Sequence, residues 1–267
     1  MDYTLWTGIL LVLAGFASGF INTLAGNGSV FTLSLLLFLN MPVHLANGTN
    51  RVGAFVQSFI SIMTFRKSPR FSNLLKESGF FAIPTIIGSL LGAQASNYVD
   101  AKMFTYAIAW LMVIMLVLVL AKPRRWLSDS RIDINRKTYL NFFIFIIIGF
   151  YAGFIQMGMG ILYLSTLVLV ARYSIIEGNM IKIILTLVMV VPALFIFIYN
   201  DLIEWKWGLT LAFGQGVGAW VATKFALESE QAAIWVRRLL ILMICLVIIK
   251  LFGFSDYIFT WLEGMYF

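Results

Sequence analysis

Charged residues are scarce in this sequence of 267 residues: Asp, Glu, Lys and Arg make up 12% of it, whereas hydrophobic residues make up 61%. Soluble domains carry about twice that charged fraction. Apolar runs such as 107–121 and 239–249 have no polar face, whereas the strands of a membrane β-barrel would alternate apolar and polar residues. The composition therefore predicts an all-α polytopic membrane protein.

Cysteine and histidine are nearly absent, since each occurs once, as Cys245 and as His44 in a predicted connection after Pro42. One cysteine excludes an intrachain disulfide, and the two residues do not make a metal-binding cluster. The GxSxG, HExxH and Walker motifs are absent as well. An enzyme is therefore the least favoured class, and we expect neither a metal nor a cofactor.

Acidic residues are fewer than basic ones, which gives a net charge of +7. The basic residues cluster in two predicted connections, 66–76 and 122–137. The positive-inside rule places such connections in the cytoplasm, so the charge does not indicate nucleic-acid binding. The N-terminus offers only Asp2, and the tail after Gly253 lacks Lys and Arg. We therefore expect a multi-pass protein with both termini external.

The sequence contains ten apolar segments, two of which are too short to cross a bilayer, since a span takes about 20 residues. The short segments, 29–41 and 160–172, each follow a glycine-rich stretch. Short, glycine-interrupted segments at matching positions indicate a transporter binding site near the midplane. Because they could also be re-entrant, eight to ten spans are compatible with the pattern. The segments are 4–24, 29–41, 47–65, 78–98, 102–121, 138–156, 160–172, 180–199, 207–226 and 233–252.

A glycine-rich stretch occurs twice, first at 15–51 and again at 149–182. In the two copies Gly26 aligns with Gly158 within the same pattern, and Arg51 falls opposite Lys182 within one residue. The order of the matches and their near-constant offset indicate a duplicated half.

The duplication predicts how the chain is organised. Five segments in each half is an odd number, so the halves should lie in opposite orientations, as an inverted repeat of about five plus five helical segments with short discontinuous helices. We divide the chain into a first transmembrane repeat (1–121), a basic cytoplasmic linker (122–137) and a second transmembrane repeat (138–267).

Two cations fall at matching positions of the repeats. Arg51 and Lys182 are each predicted in the first turn or two of an apolar segment, downstream of a glycine break. A cation inside a membrane costs a few kcal/mol unless it pairs or extends to the interface. Extension to the interface remains an alternative for each residue alone. The matching positions favour two positive charges that face one central anion.

The polar residues near the breaks also suit an anion. We expect helices to start near 47–49, at Ser29 and after Gly160, where backbone N–H groups are free. Cation sites favour carboxylate and carbonyl oxygens, and no carboxylate lies deep in the apolar segments. The predicted substrate-binding residues are Asn22, Gly26, Asn27, Gly28, Ser29, Thr49, Asn50, Arg51, Gln156, Gly158, Gly160 and Lys182.

Two GxxxG motifs occur at equivalent places, Gly88–Gly92 and Gly214–Gly218. Small residues at this spacing predict close helix–helix packing. Pore lining by Gln94 and Trp220, which follow the motifs, is the alternative.

The paired motifs resemble those of a known prokaryotic family. GFASGFINTLAGNGS followed by HLANGTNRV resembles the first motif of the TauE/SafE sulfite exporters, and GFYAGFIQMGMG followed by Ile181-Lys182-Ile183 resembles the second. The similarity covers essentially the whole chain. It implies an inverted-repeat transporter of the inner membrane that moves sulfite, organosulfonates or related sulfur-containing anions, usually outward. Residues that fall on motif positions are Gly26, Gly28, Thr49, Asn50, Arg51, Gly158, Gly160 and Lys182.

The chain also departs from the family pattern. Asn22 stands where members often have Asp, Ala152 stands where the second motif would have another, and 177–180 replaces a run of small residues and threonine. We therefore do not expect obligatory proton coupling. The expected partners are a small anion and the lipid bilayer, with homodimerisation left open. The alternatives are a channel for anions or small solutes and a non-transporting membrane subunit.

Overall fold

The computed structural model describes residues 4–96 and 138–228, together with isolated positions between 231 and 245. All regular structure within those residues is helical. The helices are α1 (Leu5–Leu24), α2 (Ser29–Phe38), α3 (Val43–Phe65), α4 (Phe71–Ala95), α5 (Tyr139–Phe154), α6 (Met159–Leu169), α7 (Ile175–Tyr199) and α8 (Trp205–Glu228).

The predictions on 102–121, on the basic linker 122–137 and on both chain ends fall outside the described residues, as does nearly all of 233–252.

Three of the described helices are long and apolar enough to cross a membrane: α1, α4 and α7. The long α3 is less apolar because its N-terminal half carries the polar run 47–51, which is buried.

Both glycine breaks are present at matching places. Gly26, between α1 and α2, has φ +85°, and Gly158, between α5 and α6, has φ +74°. Glycine adopts this left-handed region without the steric cost of a Cβ atom. The helices that follow have 10 and 11 residues, or about 15–17 Å, which is half the thickness of the hydrocarbon core. This confirms the predicted short helices after each break.

Several helices start earlier than the hydropathy pattern predicts. The predicted start near 47–49 is wrong, because α3 begins at Val43 directly after the extended Pro42. Arg51 therefore lies in the third turn of α3, and His44 lies in a helix rather than in a connection. Polar residues in the first three turns, such as the run 47–51 of α3, hide these starts from a hydropathy count.

The same effect moves two other boundaries. Helix α4 begins at Phe71 rather than 78, and its first turns are polar. Helix α7 begins at Ile175 rather than 180, where Ser174 and Glu177 form a capping box. The basic connection after α3 is thus only 66–70.

Helices of the first half pack on helices of the second half. Helix α1 packs along α8, and α4 packs along α5. A methyl group on Gly19 would overlap the backbone of Gln215 in α8, and one on Gly153 would overlap the backbone of Ser89 in α4. The four glycines of the two GxxxG motifs make similar approaches, which confirms their predicted role in packing.

The residues after those motifs do not line an interior pore in this structure. Gln94 is exposed beside an outer groove between α4 and α7, and 46% of the Trp220 side chain is exposed. The alternative of pore lining is therefore not met at either position.

Candidate functional site

The two glycine breaks meet inside the protein. A methyl group on Gly26 would overlap the backbone of Gly160, and one on Gly160 would overlap the backbone of Gly26. Next to this crossing the Ser29 hydroxyl donates to the carbonyl of Gln156 at 3.2 Å. The structure thus brings together glycine-break residues from both halves of the chain.

Arg51 reaches from α3 to the C-terminal end of α5. Its guanidinium donates to the carbonyl of Gly153 at 2.6 Å and, with longer contacts of 3.4 and 3.5 Å, to that of Ala152. The Phe197 ring lies beneath it, with Cζ 4.5 Å from the ring centroid. The last carbonyls of a helix lack partners within the helix and carry its negative dipole end. Arg51 satisfies these carbonyls, and its side chain is 0% exposed.

Lys182 makes the corresponding contact in the other direction. Its Nζ reaches from α7 to the end of α1 and donates to the carbonyls of Asn22 at 2.8 Å and Thr23 at 2.9 Å. The side chain is 1% exposed. Both predicted cations are therefore buried, and each binds the C-terminal end of a broken helix in the opposite half. Neither extends to an exposed surface.

A small polar cavity lies beside Lys182. Its volume is about 10 Å³, enough for about one water molecule. The lining side chains include hydroxyls and amides but no carboxylate, and Arg51 is not among them. Among the residues that line this cavity, the hydroxyl oxygens of Thr23 and Ser61 lie 3.4 Å apart. The cavity is lined by Asn22, Thr23, Gln57, Ser58, Ser61, Lys182, Ile183 and Thr186.

Asn50 and Gln156 form a second buried polar set. The Asn50 Oδ1 accepts from the Thr32 hydroxyl at 2.6 Å and from Gln215 Nε2 at 3.4 Å. The Gln156 side chain is 0% exposed, and both its amide atoms lack a hydrogen-bond partner. The Gln156 amide can bind water or a polar ligand, because a buried amide without partners is costly.

The remaining predicted residues have more local surroundings. The Thr49 hydroxyl accepts from the backbone N–H of Glu204 at 2.9 Å, so it fixes the connection between α7 and α8. Gly28 lies against the end of α1, where a methyl group would overlap Ser18 and Asn22. Asn27 is buried in the same break.

Sequence reasoning missed the polar face of α3 that lines the cavity. Gln57 and Ser58 are adjacent, and Ser61 lies about one helical turn after them, within an otherwise apolar stretch. A polar stripe at i, i+1 and i+4 inside a membrane segment is the signal that would have found them. Within the described ranges, no three His, Cys, Asp or Glu side chains lie close enough together to hold a metal ion.

Comparisons with known proteins agree with the motifs. The chain is 25% identical over 243 residues to the probable membrane transporter protein ORF9 of Sinorhizobium sp., covering 89% of this chain and 90% of that protein. It is 24% identical over 236 residues to a probable membrane transporter protein of Haemophilus influenzae (88% and 90%). It is 25% identical over 230 residues to the probable membrane transporter protein YfcA of Escherichia coli K12 (85% and 83%). No solved structure matches the chain.

A family model described as "Sulfite exporter TauE/SafE" matches residues 11–251, which is most of the chain. The match includes both glycine breaks and both buried cations. The chain therefore belongs to the TauE/SafE sulfite exporter family.

Proposed function

We propose that the protein is a secondary transporter that exports small anions, with sulfite, organosulfonates or related sulfur-containing anions as substrates. The observation that carries this proposal is the pair of buried cations, Arg51 and Lys182, which cross between the halves at the two helix breaks. A buried charge is costly in a membrane and is a sign of function. The names of the relatives, probable membrane transporter proteins, support the same class.

We propose further that the halves form an inverted repeat, with 1–121 and 138–267 as the two transmembrane units. The contacts are reciprocal: a cation on α3 binds the end of α5, and a cation on α7 binds the end of α1. The left-handed glycines 26 and 158 also occupy matching places. Substrate sites of inverted-repeat transporters lie where discontinuous helices of the two repeats meet.

The proposed location is the inner membrane, with both termini external and the basic connections in the cytoplasm. Within the described residues, the turn 66–70 between α3 and α4 exposes Arg66, Lys67 and Arg70. Three exposed basic residues in one short turn suit the cytoplasmic side.

A channel is the second candidate, and the geometry favours a carrier over it. A conducting channel needs a continuous path, whereas the cavity at Lys182 holds about one water and the breaks are in direct backbone contact. Such close packing calls for helix movement before an anion passes, as in alternating access.

Thermal unfolding of the purified protein in the presence of single anions tests the proposal. At 100 times its Kd, a ligand that binds only the folded state stabilises it by about 2.7 kcal/mol, which corresponds to roughly 5–10 °C in a protein of this size. We expect such a shift with sulfite or an alkylsulfonate and not with choline or sodium. Equal unfolding temperatures in every anion of the panel would contradict the proposal.

A further inference from the structure

The two buried cations lie in different surroundings. Arg51 is closed in by the carbonyls of α5 and by the Phe197 ring, and its buried Nε has no hydrogen-bond partner. Lys182 instead lines a cavity together with the polar face of α3. The repeats are therefore not equivalent in this conformation: the cation at the end of α1 lines a polar space, and the cation at the end of α5 packs on an aromatic ring.

The groups around Lys182 suit an oxyanion. An ammonium group has three N–H donors, and two of them are used by the carbonyls of Asn22 and Thr23. Ser58 and Ser61 add hydroxyl groups, and the Gln57 side-chain amide can present its NH2 group to the cavity. The Thr186 hydroxyl already donates to the backbone carbonyl of Lys182 at 2.8 Å. The hydroxyls can donate to anionic oxygens, and no carboxylate among the lining residues repels them.

The cavity lies toward one side of the protein. Ser61, at its edge, is four residues before the end of α3 at Phe65, which is about 6 Å along the helix. The basic turn 66–70 follows directly. Lys182 is in the third turn of α7, counted from Ile175. Positive charge at the adjacent surface raises the local concentration of anions.

We propose that the cavity beside Lys182 is the site at which a small oxyanion is loaded from the side of the 66–70 turn, while Arg51 keeps the opposite broken helix closed. This inference rests on the proposed transport function and adds to it a specific site and a direction of entry. The anion accepts hydrogen bonds from the third N–H of Lys182 and from the hydroxyls of Ser58 and Ser61.

Loading requires the cavity to widen, because its present volume of about 10 Å³ holds about one water and not a sulfur oxyanion. Its lining comes from α3, from α7 and from the end of α1. Separation of α3 from α7 would enlarge the space and leave Lys182 in place on α7.

Calorimetric titration of the purified protein with sulfite tests the site. Ser58→Ala and Ser61→Ala each remove one hydroxyl from the cavity wall. Ser165→Ala is the matched control, because Ser165 is a buried helical serine whose hydroxyl has no partner and lies outside the cavity lining. Loss of a hydrogen bond to a charged group weakens binding about tenfold or more. We expect that rise in Kd for both cavity variants and an unchanged Kd for the control.

Two other results have distinct meanings. In the first, the unaltered protein binds sulfite, and the cavity variants bind it equally well while their unfolding temperature is unchanged. The proposed site beside Lys182 is then wrong, but the proposal of anion transport is not affected. If the unaltered protein binds neither sulfite nor an alkylsulfonate, the anion proposal itself is wrong and this site falls with it. If Ser61→Ala weakens binding but also lowers the unfolding temperature, the result with Ser58→Ala decides.

Discussion

Replacing Arg51 with Gln should destabilise the contact between α3 and α5. The change removes the short hydrogen bond to the carbonyl of Gly153 and the contact with the Phe197 ring. A hydrogen bond from a charged group contributes about 1.5–3 kcal/mol, and a desolvated cation–π contact contributes up to about 2 kcal/mol. Gln restores part of this by hydrogen bonding, so we expect a net loss of about 3 kcal/mol.

Thermal unfolding in detergent measures this loss directly. At 2–4 °C per kcal/mol for a chain of this size, the unfolding temperature of Arg51→Gln should fall by roughly 6–12 °C. Transport should be abolished while the protein still reaches the membrane, because the end of α5 is no longer held. Arg51→Lys should recover part of both properties, since an ammonium group keeps the charge but not the planar, multi-donor geometry.

A cation at the protein surface, Lys224, serves as the control for the buried Arg51. Lys224 lies 4.2 Å from the centroid of the Trp220 ring, but its side chain is exposed. Lys224→Gln should therefore change stability by less than about 1 kcal/mol. If Arg51→Gln unfolds within two degrees or so of the unaltered protein and transports normally, the guanidinium does not hold α5 and the reasoning is refuted.

Three further outcomes are expected. In a cysteine-free chain, a cysteine introduced by Ser68→Cys in the basic turn should not react with impermeant thiol reagents in whole cells, whereas one introduced by Ser255→Cys should react. The reverse pattern would show that the proposed topology is inverted. When the membrane potential is clamped, substrate transport in proteoliposomes should not move a fixed number of protons per anion, because no carboxylate lines the cavity at Lys182. A constant proton-to-anion ratio would overturn this prediction. Gly26→Ala should lower the stability, because residue 26 has a left-handed φ and a Cβ atom there would overlap a neighbouring backbone. Gly79→Ala is the control: it lies in a helix with open space around it, so the change should raise the stability by about 0.5–1 kcal/mol.

The parts of the fold that follow from local chemistry could be predicted from the sequence. The GNG and GMG stretches, each followed by a short apolar run, correspond to left-handed glycines and to helices of 10 and 11 residues. The GxxxG spacing predicted close helix–helix packing without naming the partners, and the structure shows that packing between α1 and α8 and between α4 and α5. Both features depend on residue size and backbone freedom, which a sequence states directly.

The partners of the cations could not be predicted, because they are backbone carbonyls. Arg51 binds residues about 100 positions away, and Lys182 binds residues about 160 positions away. A carbonyl carries no sequence signal, so the matching positions indicated buried charges without indicating their partners. The start of α3 was missed for a related reason: its polar run is buried by tertiary contacts, which hydropathy does not register.

Counterflow of labelled sulfite in proteoliposomes tests most directly whether the buried cations serve anion transport. Vesicles loaded with unlabelled sulfite and diluted into labelled sulfite should accumulate label transiently when they contain the unaltered protein. Lys182→Gln vesicles with the same protein content should not, because the ammonium group that meets the anion is gone. Equal transient accumulation with Lys182→Gln would contradict the central role of Lys182, and absence of accumulation with the unaltered protein would contradict sulfite transport.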